Sequence, residues 1–413
     1  MSAGAGAGDR PGPPSLDGPG DGPEAAPPPR RPGGPRPRRE TAPTPAERRR
    51  AARARQPLFG GRAEVDEVRR LRRLQAGERL RRQARRAMIG DGLAIGIDIG
   101  GTKVAAGVVD AQGRVVARAR RDTPTRSPQA VEDLIAELVA ELSADHEVVS
   151  VGIGAAGFVD ATRSTVVFSP HLAWRDEPLR EAVEMRVRAR LGRRVGRRTL
   201  VENDANAAAW AEYRFGAGRG EPRLVVITLG TGIGGAVVND GRLQRGRHGI
   251  AGEFGHMVLV PGGRRCECGG RGCWEQYASG NSIGRDGREL ALGGSPFAHA
   301  LLAGAGGDPA AVRGPVVTAA ARAGDPAAVE IVEDTGRWLG TGIANLAAAL
   351  DPGTFVIGGG VSDAGELLLG PAREEFRRTL TGRGHRPEAR IVRARLGPEA
   401  GLVGAADLSR GWG

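Results

Sequence analysis

One local pattern occurs twice in this chain: a buried strand runs into a glycine-rich turn and returns as a second strand. The first copy spans residues 93–110 with its turn at 98–103, and the second spans residues 224–239 with its turn at 229–235. Apolar runs that are bounded by glycine in this way predict paired strands. The two copies are separated by the length of a domain, far more than the period of a solenoid repeat. The sequence therefore predicts an α/β protein with two similarly built domains.

Both glycine-rich turns are candidate phosphate-binding loops, because glycines let several backbone N–H groups point at one anion. Tight hairpins also use glycine, so either turn alone leaves both interpretations open. A third glycine run at 358–360 follows a strand and offers an open surface for a base and ribose. The carboxylate at the first turn is expected to position Mg²⁺ through water. The candidate nucleotide-binding residues are Asp98, Gly100, Gly101, Thr102, Lys103, Thr228, Gly230, Thr231, Gly232, Gly234, Gly358, Gly359 and Gly360.

A polar run, Glu202-Asn203-Asp204, follows a strand that ends at Val201 and opens a helix. Asn and Asp at such a point cap helices, and capping alone would explain them. The alternative is that Asp204 is a general base, which takes the proton of a sugar hydroxyl as a phosphoryl group arrives. Asn203 would then hold a neighbouring hydroxyl. One residue can serve both purposes, since a cap depends on backbone geometry and still presents a side chain.

All three cysteines of the chain lie within eight residues, and a histidine precedes the first of them by ten. Three thiols and one imidazole form a full tetrahedral donor set for zinc, and the glycines between them let the loop fold back. The compact spacing argues against chance. Four protein ligands leave no open position, so the metal would be structural. The predicted ligands are His256, Cys266, Cys268 and Cys273.

Acidic residues flank this zinc motif on both sides. Glu253 lies before His256, and Glu275 lies two positions after the last cysteine. Sugar recognition needs acceptors at fixed positions, because each hydroxyl donates one hydrogen bond. If His256 gives one ring nitrogen to zinc, the other becomes a donor that can bind a sugar oxygen. The motif therefore predicts a polar site supported by a metal.

Further helices and strands follow from apolar periodicity in the body of the chain. The helical patterns lie at 129–143, about 176–191, about 315–350 and 400–406. Additional strands are predicted at 148–154, which leads into the loop 155–158, and at 354–358.

The charge of the chain is concentrated at its N-terminal end. Residues 1–90 hold 21 Arg and 10 acidic residues, which leaves +1 of the total +12 for the remaining 323 residues. The segment 1–61 is rich in Pro, Gly and Arg and is predicted to be disordered. The segment 62–90 is predicted to be a basic helical linker. It is an electrostatic tether to nucleic acid or acidic partners, a solvated linker helix, or sequence upstream of a true start at Met88.

The sequence predicts a cytoplasmic protein. Three clustered cysteines suit a reducing compartment better than a disulfide framework. The chain has neither the apolar core of a signal peptide nor an uninterrupted apolar stretch near 18 residues. No membrane partner is expected, and nucleic acid is expected to bind only nonspecifically, through the basic tail.

These motifs together resemble the ROK family (repressors, open reading frames and sugar kinases), over about residues 92–410. The zinc signature of the family, C-x-C-G-x-x-G-C-x-E, is matched at every fixed position by residues 266–275. The set is most similar to the bacterial ATP-dependent glucokinases of the family. The other matching motifs are the phosphate motifs at 98–103 and 229–235, the catalytic motif at 202–206 and the sugar motif at 252–257.

The resemblance implies a two-domain actin-like (ribonuclease H-like) ATPase fold with sugar and nucleotide in the cleft. The small domain would comprise residues 91–203 and about 398–413, and the large domain residues 204–397 with the zinc loop. The implied reaction is phosphorylation of glucose at the 6-hydroxyl, with Asp204 as the base, ATP, Mg²⁺ and structural Zn²⁺ as cofactors, and a homodimer or homotetramer as the assembly. The implied sugar-binding residues are Ala156, Gly157, Asn203, Asp204, Glu253, His256 and Glu275.

Alternatives remain beside glucose phosphorylation by ATP. The same hydroxyl-binding residues suit fructose, mannose, allose or N-acetylmannosamine. Polyphosphate as the donor is disfavoured, since the family's polyphosphate enzymes generally lack the cysteine motif. A sugar-responsive transcriptional regulator is supported by the basic tail. The intact Asn203–Asp204 pair and the lack of a recognisable helix-turn-helix argue against it. The N-terminal extension departs from the usual kinase, so its role stays open.

Overall fold

The two copies of the strand–turn–strand pattern lie in two separate five-stranded sheets. The computed structural model describes residues 92–411 except 171, 193, 194 and 197, so the predicted tail 1–61 and linker 62–90 lie outside the described residues. The strands of the described part are β1 Leu93–Ile99, β2 Lys103–Val109, β3 Val115–Asp122, β4 Val148–Ala155, β5 Phe158–Val159, β6 Val166–Phe168, β7 Arg175–Glu177, β8 Thr199–Asn203, β9 Arg223–Leu229, β10 Ile233–Asn239, β11 Arg242–Leu243, β12 Thr354–Gly358 and β13 Arg390–Arg393.

The helices account for most of the remaining chain. The α-helices of the described residues are α1 Pro128–Ala144, α2 Leu179–Leu191, α3 Asp204–Arg214, α4 Glu275–Ala278, α5 Gly280–Leu292, α6 His299–Gly304, α7 Gly314–Arg322, α8 Pro326–Leu350, α9 Glu366–Thr379 and α10 Ala400–Ser409. Short 3₁₀ helices lie at Phe254–His256, Pro296–Ala298, Pro309–Ala311, Gly360–Ala364 and Gly397–Glu399. In the part of the chain covered by these elements, no helix is both long and apolar enough to cross a membrane.

The two large sheets have the same strand order and the same directions. The first sheet runs β3-β2-β1-β4-β8, and the second runs β11-β10-β9-β12-β13. In both, the first three strands are antiparallel neighbours and the last three are parallel neighbours. The duplication that the sequence predicts is therefore confirmed at the level of topology.

One predicted helix begins later than its sequence pattern indicates. The pattern predicted a helix over about 176–191, but Arg175–Glu177 is β7, the outer strand of a small sheet β5-β6-β7, and α2 begins at Leu179. Pro178 is the N-cap of α2. A residue before proline is pushed out of the helical region, so Glu177 is extended.

Helices α3 and α10 lie between the two sheets. α10 packs on β1, β2, β4 and α3, and α3 also packs on β9 and β10. The approach of α10 to the first sheet requires glycine: a Cβ on Gly96 would lie 1.8 Å from the Leu402 carbonyl oxygen, and one on Gly152 would lie 1.8 Å from that of Ala405. These glycines are direct neighbours on β1 and β4. The first sheet therefore presents a flat backbone surface to α10.

The outer faces of both sheets are covered by helices that the apolar periodicity largely predicts. The predicted helix 129–143 is confirmed as α1, whose residues Val131, Ile135 and Leu138 are buried against the first sheet. Ser127 caps this helix by accepting the Ala130 N–H at 3.2 Å. The second sheet is covered by a larger apolar cluster to which α5, α7, α8 and α9 contribute. Each large sheet thus has an apolar core between its outer face and the helices that cover it, while α3 and α10 lie between the two sheets.

Candidate active site

A cavity of about 180 Å³ opens between the two sheets, beside α3 and the start of α10. Among the residues predicted to bind a nucleotide, it brings together Asp98, Thr228, Gly358 and Gly359, and Asp204 lies in the same wall. The ends of β1, β9 and β12 and the first residue of α3 supply these groups. Residues far apart in sequence therefore form one concave site.

Asp98 faces this cavity near the end of β1. Burial raises the pKa of its carboxyl to about 7, and the negative charge of Asp204 acts in the same direction. The backbone of α10 comes so close that a Cβ on Gly401 would lie 2.6 Å from Asp98 Oδ2. Two neighbouring carboxylates favour the uptake of a proton or a cation.

The first glycine-rich turn is a tight reversal between β1 and β2. The Gly100 N–H donates to the Lys103 carbonyl oxygen at 3.0 Å. Gly101 and Thr102 complete the turn, and the side chains of Thr102 and Lys103 are exposed. The turn follows Asp98 directly along the chain, but these four residues are not among those that line the cavity.

The second glycine-rich turn reverses the chain between β9 and β10. The Gly230 N–H donates to the Gly232 carbonyl oxygen at 3.0 Å, with Thr231 between them. Gly234 follows in β10, where a Cβ would lie 2.7 Å from Thr228 Oγ1. The absence of a side chain at Gly234 thus leaves room for the Thr228 hydroxyl.

The third glycine run packs on the second turn. Gly359 has a φ of 82°, and a Cβ there would lie 2.3 Å from the Leu229 carbonyl oxygen. Only glycine combines this conformation with this approach. Gly358 ends β12, whereas a Cβ on Gly360 would meet nothing within 4 Å. Two of the three predicted glycine segments therefore meet in the structure.

Asn203 and Asp204 open α3. Asn203 Oδ1 accepts the Asn206 N–H at 3.0 Å, which confirms the prediction of a helix cap. Asn203 Nδ2 donates to Asp204 Oδ1 at 3.1 Å, and the Ala205 N–H donates to the same oxygen at 2.9 Å. The Asp204 carboxylate is therefore held in one orientation at the cavity wall.

The loop of Ala156 and Gly157 lies beside Asn203. The Ala156 N–H donates to the Ile99 carbonyl oxygen at 3.3 Å, and Asn203 Nδ2 donates to the Gly157 carbonyl oxygen at 3.0 Å. Gly157 has a φ of 133°, and a Cβ there would lie 2.3 Å from the Phe168 carbonyl oxygen. The structure thus joins this loop to the Asn203–Asp204 pair.

Glu253 precedes the 3₁₀ helix Phe254–His256, and His256 is its last residue. This short helix packs on β10. A Cβ on Gly255 would lie 2.4 Å from the Ile233 carbonyl oxygen, so the helix sits directly on the strand backbone. This contact fixes both ionisable side chains relative to the second sheet.

Three charged or ionisable side chains act on the pKa of Glu253 at this end of the site. The surrounding protein removes water from Glu253 and raises its pKa; His256 lowers the pKa, while the negative charges of Asp204 and Glu275 raise it further. His256 Nδ1 lies 3.6 Å from Glu275 Oε1. A Cβ on Gly232 would lie 2.5 Å from Glu275 Oε2, so the acidic cluster reaches the second glycine turn.

The predicted zinc ligands are brought together. The ligand atoms of His256, Cys266, Cys268 and Cys273 all lie within 4.8 Å of one another. The Sγ atoms of Cys268 and Cys273 are 3.6 Å apart, and Cys266 Sγ is 3.7 Å from His256 Nδ1. Zinc bonds of about 2.0–2.3 Å in a tetrahedron separate ligand atoms by about 3.5–3.8 Å. The donor set therefore fits zinc.

Trp274 anchors the cysteine loop to the body of the protein. Its side chain is fully buried and its Nε1 donates to the Trp338 carbonyl oxygen at 2.9 Å. A Cβ on Gly342 would lie 2.1 Å from the indole ring, so the ring lies flat on α8. The Trp274 N–H donates to the Met257 carbonyl oxygen at 2.8 Å. The last cysteine is thereby tied to the segment that carries the histidine.

Two parts of the site were not predicted from the sequence. The segment 397–401 contributes to the cavity wall, and its only sequence signal is a Gly-Pro pair before a small-residue helix. Glu202 was noted in its motif without a role, yet it is fully buried behind Asn203 and pairs with Arg163 and Arg245. No spacing in the sequence indicates which arginines would meet it.

Comparison with known proteins gives a consistent result over the described body of the chain. The sequence profile of the ROK family matches residues 94–411. A glucokinase of Streptomyces coelicolor is 49% identical over 319 residues, which are 77% of this chain and 98% of that protein.

Solved structures give the same picture. A ROK family glucokinase from Streptomyces griseus in complex with glucose and AMPPNP matches with a TM-score of 0.70 at 49% identity, covering 78% of this chain and 100% of that chain. A ROK hexokinase from Thermus thermophilus matches with a TM-score of 0.62 at 36% identity, covering 77% of this chain and 97% of that chain.

Proposed function

This chain belongs to the ROK family, and we propose that it is a glucokinase, which transfers the γ-phosphoryl group of ATP to the 6-hydroxyl of glucose. The position of Asp204 carries this proposal. Its carboxylate lines the cavity together with Asp98 and Thr228, and its charge acts on Glu253 among the sugar residues. A base at this junction can reach a sugar hydroxyl on one side and a phosphoryl group on the other.

Asp204 takes the proton of the 6-hydroxyl as the phosphoryl group arrives. Hydrogen bonds from Asn203 and Ala205 to Asp204 Oδ1 fix the carboxylate in advance, so little reorientation is needed. A positioned general base contributes about 10²–10⁴-fold to the rate. Glu253, Glu275 and the remaining sugar residues hold the other hydroxyls, and closure of the cleft excludes water.

Asp98 positions Mg²⁺ through water in this proposal. Burial and the charge of Asp204 make a negative charge at Asp98 costly, and that cost falls when a cation is near. When bound, Mg²⁺ neutralises charge on the phosphates.

The zinc set is proposed to be structural. Burial raises the pKa of the Cys266 and Cys273 thiols, whereas the Gly270 N–H lowers the pKa of the Cys268 thiol. Zinc binds thiolates, so a bound metal would favour the ionisation of Cys266 and Cys273 that burial opposes. With His256 Nδ1 facing the sulfurs, the zinc joins the segment of Glu253 to the segment of Glu275 and leaves Nε2 as a donor to the sugar.

The duplicated sheets support an actin-like ATPase fold. The proposed small domain comprises residues 91–203 and about 398–413, and the proposed large domain comprises residues 204–397. The identical strand orders of the two sheets support this division. A homodimer or homotetramer is proposed from the family resemblance, and a cytoplasmic location is proposed from the clustered cysteines.

ADP formation by the whole chain tests the reaction. We expect formation with ATP that depends on glucose and exceeds that with fructose, mannose, allose or N-acetylmannosamine at equal concentration. A higher kcat/KM for another hexose would reassign the substrate. Replacing ATP by polyphosphate tests the donor. No sugar-dependent ADP formation, together with sugar-dependent binding to one DNA sequence, would favour a regulator over a kinase.

A further inference from the structure

Arg245 lies where three segments of the proposed sugar site meet, and we propose that it is a positioning residue that fixes these segments relative to one another, directly and through Glu202. The segments are the loop at 156–161, the pair Asn203–Asp204 and the run 253–256. The identity of the sugar rests on the proposed function; the contacts that carry the inference do not.

The Arg245 guanidinium group uses its whole fork. Nε donates to Glu202 Oε1 at 3.0 Å, and Nη1 donates to the Ala161 carbonyl oxygen at 3.2 Å. Nη2 donates to the carbonyl oxygens of Asp160 at 3.0 Å and Val159 at 3.4 Å. The side chain is only 10% exposed, and apart from the exposed bond to Ala161 these bonds are partly buried. One residue that follows β11 of the second sheet thereby holds three successive carbonyl groups next to the Ala156–Gly157 loop.

Glu202 carries this connection to the proposed base. Its carboxylate is fully buried, and Oε1 also accepts the Asn203 N–H and Asn206 Nδ2, each at 3.0 Å. Oε2 lies 2.9 Å from Arg163 Nε. A buried carboxylate needs its partners, because leaving it with one guanidinium would strand part of its charge. The start of α3, and with it Asp204, is therefore held by the same carboxylate that Arg245 binds.

The backbone of Arg163 also indicates that the surroundings of Glu202 are constrained. Its φ is 59°, a left-handed conformation that is unusual for a long side chain. Its carbonyl oxygen accepts the Val201 N–H at 3.1 Å, next to Glu202 in the chain. Such a conformation persists only where the surroundings fix it, and it is common near functional sites.

The third segment is reached through the loop that Arg245 itself begins. The Arg245 carbonyl oxygen accepts the Ala251 N–H at 3.1 Å, two residues before Glu253. Gly249 in this loop has a φ of 91°, and a Cβ there would lie 2.4 Å from the Val159 carbonyl oxygen. The loop thus lies directly against the segment whose carbonyl groups Arg245 binds. A shift of Arg245 would therefore displace residues on both sides of the proposed sugar site.

Lysine would not replace arginine here. A guanidinium is planar and carries five N–H donors in a fixed fork, whereas an ammonium is a point charge on a flexible stem. A lysine at position 245 would keep the positive charge next to Glu202 but could not contact the three carbonyl groups at the same time. Arg245→Lys therefore separates the need for charge from the need for geometry.

The test compares Arg245→Met and Arg245→Lys with the matched control Arg186→Met. Arg186 pairs with buried Glu132 at 2.8 Å and with Asp133 at 2.9 Å, on helices that cover the outer face of the first sheet. We expect Arg245→Met to lower kcat/KM for glucose by about 10²-fold, through a higher KM and, because Asp204 is held through Glu202, also a lower kcat. The KM for ATP should stay unchanged, Arg245→Lys should fall between, and the control should lose thermal stability alone.

Hydrogen exchange supplies a readout that needs no turnover. In Arg245→Met, amides in peptides covering 157–163, 200–206 and 250–256 should exchange faster, while those of α8 should not. Equal exchange in these peptides, or a glucose KM no higher than that of the control, would overturn the proposal. Absence of glucose-dependent ADP formation in the unaltered protein would refute the proposed function instead, and the exchange result would still decide the role of Arg245.

Discussion

Replacing Gly152 by alanine would probe the contact between α10 and the first sheet. The added Cβ would lie 1.8 Å from the Ala405 carbonyl oxygen, whereas ordinary contacts begin at 3.4 Å. The obstacle is helix backbone, which cannot turn aside as a flexible side chain would. The helix must therefore move away from β4 by about 1.6 Å, or the strand must bend by a similar amount.

The cost of this movement follows from the burial of α10. Every residue from Ala400 to Ser409 is buried, and Leu402, Val403 and Ala406 share one apolar cluster with the first sheet. Overpacking of this kind costs about 1–3 kcal/mol, and a clash with backbone belongs at the upper end. Alanine recovers about 0.5–1 kcal/mol because it restricts the unfolded chain more than glycine does. We expect a net loss of about 2 kcal/mol in the free energy of unfolding.

Denaturant unfolding followed by tryptophan fluorescence measures this loss. Gly370→Ala is the control: it lies within α9, and its Cβ would meet nothing within 4 Å apart from its chain neighbours. Pro371 follows, and a Cβ before proline meets the proline ring, which offsets the gain in helix propensity. Stability there should therefore change by less than about 0.5 kcal/mol. Because Ala400 lines the cavity at the start of α10, Gly152→Ala should also raise the KM for ATP.

The reasoning is refuted if Gly152→Ala and Gly370→Ala change the free energy of unfolding to the same extent. A Gly152→Ala protein within about 0.5 kcal/mol of the unaltered protein, in the same denaturant series, would mean that α10 does not lie on the sheet backbone. A stability loss with an unchanged KM for ATP would separate the packing argument, which would stand, from the functional one, which would fail.

Three further changes test other parts of the site. Asp204→Asn should lower kcat by at least about 10²-fold while calorimetry still detects glucose binding, and near-normal turnover would remove the assigned base. Cys268→Ser should release zinc, measured by a chromogenic chelator, and weaken glucose binding; zinc loss with normal glucose affinity would mean that the metal does not shape the site. Burial and the neighbouring Glu177 raise the pKa of Glu132 from 4.5 to about 7. The folded state therefore keeps a proton that the unfolded state loses, so stability should fall as the pH rises from about 4.5 to about 7. Glu132→Gln should flatten this slope in melting temperatures, and an unchanged slope would contradict the burial argument.

Features that depend on neighbouring residues could be predicted from the sequence. The turn after β1 carries two adjacent glycines, and the zinc set has its cysteines within one loop, so both leave a local signature. The helix α1 could be predicted because a 17-residue amphipathic pattern is long enough to show its period. The same holds for the duplicated strands, where the pattern itself repeats.

Features that depend on distant partners could not be predicted. β5, β6 and β7 have only two or three residues each, too few to show alternation. Arg245, one of the two arginine partners of Glu202, lies 43 residues away from it, and nothing local distinguishes Arg245 from the other arginines of this arginine-rich chain. The closeness of α10 to β4 likewise appears only when both backbones are placed in space.

The location of α10 also bears on how the protein is made. The first sheet is complete once the ribosome has translated Asn203, but the helix that covers its glycine-bearing face begins at Ala400. At about 5–20 residues per second, synthesis of the intervening chain takes roughly 10–40 s. Throughout that time the half-built protein exposes a sheet face on which Gly96 and Gly152 carry no side chain. A nascent chain in this state is a natural client for chaperones until α10 emerges and covers this face of the sheet.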